Sequence, residues 1–192
     1  MKWLLPLVVS LFLPGCDRDI SGSLASGQLT DKEPAYAVRE EPAPVGKVIK
    51  AGLFKIVRSG GLVDSPDSST GKAHARPVIQ LVKQTDRIPL VKNAHMSFQY
   101  RIWGLPERPV YIDLRRVLIH PPMTLPDGTV STGSDYNIKG HVSIGQVIAY
   151  TGYGLNEDYE MVEGDWLFQI WFGDVLLVEQ TFTTYWPEAA VP

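Results

Sequence analysis

Four kinds of side chain in this sequence carry chemistry that could bind or cleave something. They are a single cysteine, Cys16; the histidines His74, His95, His120 and His141; the serine of His141-Val142-Ser143-Ile144-Gly145; and the carboxylates Glu157, Asp158, Glu160, Glu163 and Asp165. A nucleophilic serine needs a sharp strand-to-helix turn that exposes its hydroxyl to a base. No helical pattern follows Ser143, so it reads as an ordinary strand-end residue. A glycosidase needs two carboxylates at a set separation across a sugar cleft, whereas these five crowd one segment and read as a solvated acidic corner. The histidines lack both the i, i+4 spacing and the cysteine pairing of metal sites, and read as surface or capping groups. Asp64 and Asp67 lack the acidic ladder and closing glutamate of a calcium loop, so 58–77 reads as a mobile polar loop. There is no glycine-rich phosphate loop opening a helix. Together these point to a non-enzyme with no cofactor and no metal. A cell-envelope hydrolase using the loop carboxylates is the competing expectation.

The elements that would position these groups read as strands. Trp166, Phe168, Ile170 and Phe172 alternate with Leu167, Gln169 and Trp171, and a period of two places one apolar row on a single face. Leu176, Val178 and Phe182 continue the alternation on a return strand. A three-residue loop, Gly173 to Val175, sets Ile170 by Val178, Trp166 by Phe182 and Gln169 by Glu179. A two-residue Gly173-Asp174 loop would instead set Phe168 opposite Glu179, moving every side chain to the other face. Further strands are predicted over 48–57, 78–82, 98–102, 110–119, 136–142 and 147–153, with His120-Pro121-Pro122 ending the fourth. No stretch has sustained helical periodicity. Seven or eight short strands separated by turn signals imply an antiparallel, immunoglobulin-like β-sandwich over 47–186, followed by a tail at 187–192. On its nominally outer surface Trp171 and Leu177, with Trp103 in a turn, would form an aromatic platform for a glycan or an envelope protein.

With 44% apolar residues in 192 and a formal charge of -3, the chain can bury one core and is not of disordered composition. It has no basic run to track a polyanion, so nucleic acid is not an expected partner.

The first residues give an address. Met1-Lys2 precedes the apolar run Trp3 to Leu13, which is too short to span a bilayer and has the form of a secretion signal over 1–15. Next comes Leu13-Pro14-Gly15-Cys16, which resembles the lipobox of bacterial lipoproteins. The resemblance implies cleavage before Cys16 and a diacylglycerol on its thiol, so that the membrane itself becomes a partner. As the only cysteine, Cys16 has no disulfide to join. Residues 16–46, rich in Ser, Gly, Pro, Glu and Lys, read as a flexible tether. Asp17 resembles the signal that retains lipoproteins in the inner membrane, which favours that membrane over the outer one. The expected location is the bacterial envelope, facing the periplasm.

Several segments carry a whole-domain likeness. Leu81-Val82-Lys83-Gln84-Thr85-Asp86-Arg87-Ile88-Pro89, Phe98-Gln99-Tyr100-Arg101, His120-Pro121-Pro122, the run Tyr159 to Trp171, and Glu179-Gln180-Thr181-Phe182-Thr183 resemble the bacterial domain-of-unknown-function family 3859, in order and spacing. The resemblance implies the sandwich fold and brings no activity to any residue.

Overall fold

A computed structural model describes residues 43–75 and 77–188. The expected signal segment, Cys16, nearly all of the tether and the last residues of the tail lie outside these.

The long strands are β1 (Val45–Arg58), β4 (Val78–Gln84), β6 (Ala94–Trp103), β7 (Tyr111–Thr124), β8 (Val130–His141), β9 (Gln146–Leu155), β10 (Gly164–Phe172) and β11 (Val175–Tyr185). Three shorter strands, β2 (Leu62–Asp64), β3 (Lys72–His74) and β5 (Arg87–Pro89), complete the set, with one 3-10 turn at Asp158–Glu160. One sheet runs β4-β1-β6-β9 and the other β5-β11-β10-β7-β8. All pairs are antiparallel except β5 with β11, which is parallel. The expected two-sheet β-sandwich is therefore present, with eight long strands and a parallel edge that alternation alone does not specify.

The core lies where the two inward rows meet. On β10, Trp166, Phe168 and Ile170 are fully buried, and on β6, Met96, Phe98, Tyr100 and Ile102 face them. Phe98 meets Phe168 edge-on at 5.8 Å between centroids, and Phe168 meets Phe182 likewise at 5.9 Å. Such aromatic pairs stabilise beyond their area burial, by about 0.5–1.5 kcal/mol each.

The β10–β11 hairpin combines features of both loop alternatives. Trp166 pairs with Phe182, Gln169 with Glu179 and Ile170 with Val178, as the three-residue loop requires. The turn itself has only two residues, because Phe172 pairs with Val175 and Trp171 with Leu176. The register shift between Ile170 and Trp171 reconciles the two: a bulge leaves Leu177 as the extra residue. That bulge overturns two expectations. Leu177, placed on the outer surface by simple alternation, is buried, and Leu176, placed inward, is 39% exposed.

Other boundaries differ as well, among them that of β8, which starts at Val130 rather than at 136 because Val130 already pairs with Thr124. β1 starts at Val45, two residues before the expected domain edge, because Val45 still pairs with Trp103. β7 does not stop at His120-Pro121-Pro122. Its pairing with β8 skips from Ile119 to Met123, so the prolines fall in an irregular step that asks for no ladder bonds, and the strand resumes with Met123 buried. The segment 58–77 is not a plain loop: β2 and β3 form a small hairpin, its base closed by the bond from the Gly60 N–H to the Ala75 carbonyl at 2.8 Å.

Candidate functional site

β9 ends the first sheet and β8 ends the second, so the sandwich is open along that side. The β2–β3 flap leans over it, and a cleft of about 400 Å3 runs along β9 beneath the flap. Its walls come from the flap (Ser68, Ser69, Thr70), from β1 and β4 (Ile56, Ile79), from β6 (His95, Ser97), from β7 and β8 (Arg116, Leu118, Ser134, Tyr136) and from β9 (Tyr150 to Gly154). Glycine makes the β9 wall thin. A Cβ on Gly152 would run into the Met96 carbonyl, so only glycine lets β9 approach β6 this closely.

Arg116 dominates the cleft chemically. It stands in the inward phase of β7 with Ile112, Leu114 and Leu118, and is only 6% exposed. Its Nε donates to Thr151 Oγ1 at 2.9 Å, and its terminal nitrogens donate to Ser134 Oγ at 3.3 Å and the Gly152 carbonyl at 3.2 Å. The guanidinium is flanked by the rings of Tyr136 and Phe168, at 5.3 and 5.4 Å to their centroids. Burial draws its pKa below the usual arginine value, opposed by the neighbouring tyrosine oxygens. Among the described residues, no carboxylate forms an ion pair with it.

Glu160 is the other buried charged group of the cleft, and its oxygens are occupied. Oε1 accepts from the Tyr153 hydroxyl at 2.8 Å, and Oε2 accepts from the backbone N–H groups of Asn156 and Glu157 at 2.5 and 2.9 Å. The carboxylate closes the 3-10 turn and fixes the end of β9. Burial, then the charge of Glu160, pushes the Tyr153 hydroxyl far above its usual range, while a hydrogen bond with Thr70 of the flap opposes this.

The remaining candidates do not come together. Ser143 is exposed and opens a two-residue turn, bonded to Gln146 in both directions, with Ile144 and Gly145 at φ 52° and 66°. That is a hairpin turn with no following helix, so it offers no nucleophile elbow. Asp158 pairs with Lys92 at the surface, Asp165 accepts from Thr183, and Glu157 and Glu163 are exposed. His120 is buried in the core, stacked on Trp166 at 4.7 Å, with Nδ1 donating to the Pro121 carbonyl at 2.7 Å. Burial lowers its pKa from the ordinary 6.5. His141 stacks edge-on against Tyr111, and His95 lines the cleft. Among the described residues, no three His, Cys, Asp or Glu side chains gather as a metal site would require.

Nor do the platform residues form one surface. Trp103 ends β6 with its ring 38% exposed, on the outward side of the first sheet, beside an open depression shared with Arg101 and Ile144. Trp171 belongs to the outward row of the second sheet, half-buried, with Nε1 donating to Gln169. Leu177 lies in the core between them.

The family model described as Domain of unknown function (DUF3859) matches residues 43–184, which include every wall of the cleft. The chain belongs to this family. No curated protein matches it. Among solved structures, this DUF3859 chain is similar to an immunoglobulin-like protein from Pseudomonas aeruginosa, at 20% identity over 72% of this chain and 97% of that one, with a TM-score of 0.44.

Arg116 was absent from the chemistry-bearing residues picked out of the sequence, although a signal was there. Ile112, Leu114 and Leu118 set the inward phase of β7, and a charged residue in that phase marks a position where burial needs a reason.

Proposed function

We propose that this DUF3859 domain is a non-catalytic binding or assembly module of the bacterial envelope, held to a membrane by lipid on Cys16 and facing the periplasm. One observation carries the binding reading. The cleft under the flap has hydroxyls and a cation suited to holding a ligand, while Glu160, its one carboxylate among the described residues, has both oxygens engaged in the fold. A group so engaged is poorly placed to move protons, since a general base must reach the proton it abstracts. The sequence Leu13-Pro14-Gly15-Cys16 supports the anchor, and Asp17 favours the inner membrane. The expected partners are an envelope protein or a glycan.

Two experiments test this. Cys16→Ser should abolish lipid labelling and leave an unprocessed or mislocalised precursor; equal labelling of both forms would sink the anchor. The purified full chain should not hydrolyse peptide, ester, phosphoester or cell-wall glycan. Reproducible turnover that disappears in Glu160→Gln or Ser143→Ala would replace the module with a hydrolase.

A further inference from the structure

Adjacent arginines on β7 are treated in opposite ways. Arg115 points to solvent and makes a two-pronged contact with Asp135, Nε to Oδ1 at 2.8 Å and a terminal nitrogen to Oδ2 at 2.5 Å. Lys139 and Lys92 are likewise paired with Asp113 and Asp158 at the surface. Arg116, the buried one, has only neutral partners among the described residues. The pairing is inverted relative to need, because a surface ion pair contributes little while an unpaired buried charge is costly. The one nearby buried carboxylate cannot serve as its counter-ion, being committed to Tyr153 and two backbone N–H groups. One polar atom in the same cleft lacks any hydrogen-bond partner: the hydroxyl of Ser69, on the flap, is buried and makes no hydrogen bond among the described residues. Buried polar groups are normally satisfied, and one left open beside a cavity marks a place where a ligand atom fits.

We propose that the cleft binds a small hydroxylated carboxylate, of the size of one acidic sugar, whose carboxylate sits on Arg116 and whose hydroxyls meet Ser69 and the surrounding hydroxyl side chains. A guanidinium presents five N–H donors in a fork that matches a carboxylate, and three of Arg116's bonds go to neutral oxygens, two of them long. The 400 Å3 cleft falls within the range of small-molecule sites, roughly 300–1,000 Å3. Ser69, Ser134, Tyr136 and Thr151 supply hydroxyls for a polyhydroxylated molecule, and Ile56, Ile79 and Leu118 supply apolar wall for the carbon face of its ring. The β2–β3 flap, which carries Ser69, closes the site from above.

This assignment rests on the binding-module reading and can fail separately from it. Calorimetric titration of the full chain with glucuronate, glucose, dialanine and inorganic phosphate provides the test. Glucuronate should bind at least about tenfold more tightly than each of the others, since a charge-assisted pair contributes on that order. Arg116→Met should weaken glucuronate by at least about tenfold, and Ser69→Ala by a few-fold. Arg116→Lys should recover only part of the loss, because an ammonium keeps the charge without the fork. If Arg116→Met does not fold, the lysine and Ser69 variants decide the matter. Glucose as tight as glucuronate would remove the carboxylate assignment and leave a binding module. Dialanine or phosphate as tight would remove the hydroxylated half, and no binding of glucuronate would overturn the proposal altogether.

Discussion

The centre of the sandwich and its open side along β9 are built from opposite materials. At the centre, Phe98, Phe168 and Phe182 pack ring against ring around Ile170, and none of these four side chains has a polar atom to satisfy. Along β9 the buried groups are Arg116, Glu160, Ser97 and the half-buried Tyr153 and Thr151, joined by hydrogen bonds of which those from Arg116 cross between the two sheets. The first region stabilises by area removed from water, which is indifferent to small errors of direction. The second depends on directed bonds and on a charge that costs free energy to bury. Apolar packing is concentrated in one region of the molecule, and directed polar contacts in the other.

That contrast can be broken in graded steps. Phe168→Ala removes a fully buried ring and should lower unfolding free energy by about 3–5 kcal/mol in urea titrations; a loss under half of this would mean the aromatic cluster is not the main support. Glu160→Gln keeps the shape but loses the charge that holds Tyr153 and two N–H groups. It should cost roughly 1.5–3 kcal/mol, with the largest rise in amide exchange at Asn156 and Glu157. An effect spread evenly over the sheet would contradict its local role.

A pH effect of intermediate size comes from His120. Because burial holds its pKa below 6.5, the unfolded chain takes up the proton more readily. The stability His120 contributes is therefore fully present above about pH 6.5 and lost as pH falls through its lower folded value. Urea midpoints taken from about pH 7.5 down to 5 should fall, and His120→Asn should flatten that slope; an unchanged slope would assign the effect elsewhere. The smallest effect belongs to Gln169→Ala on the outward side of β10, where the bond to Glu179 at 2.8 Å is solvent-exposed. About 0.5 kcal/mol or less is expected.

The two regions also differed in how far the sequence disclosed them. The core hairpin was legible because a period of two in Trp166, Phe168 and Ile170 leaves only one face for the rings. Its turn was not, because Gly173-Asp174 favours one register and the apolar row another, and a bulge at Leu177 satisfies both. The run of four apolar residues Val175-Leu176-Leu177-Val178, which breaks strict alternation, was the available warning. The β9 cleft stayed hidden for a different reason. Its walls come from the flap and from six strands spread along the chain, and none bears a motif. The flap read as a loop because strands of three residues are too short for alternation to register. Arg116 alone could have been flagged, as a charge in the inward phase of β7.

The central claim is that Arg116 serves recognition rather than folding, and urea unfolding of Arg116→Met beside Phe168→Ala tests it most directly. Methionine fills the space without a charge to desolvate, which offsets the three lost hydrogen bonds. An unchanged dependence on urea and a stability within about 1 kcal/mol of wild type are expected. A loss as large as that of Phe168→Ala would instead make Arg116 an inter-sheet fastener and contradict the division between core and cleft.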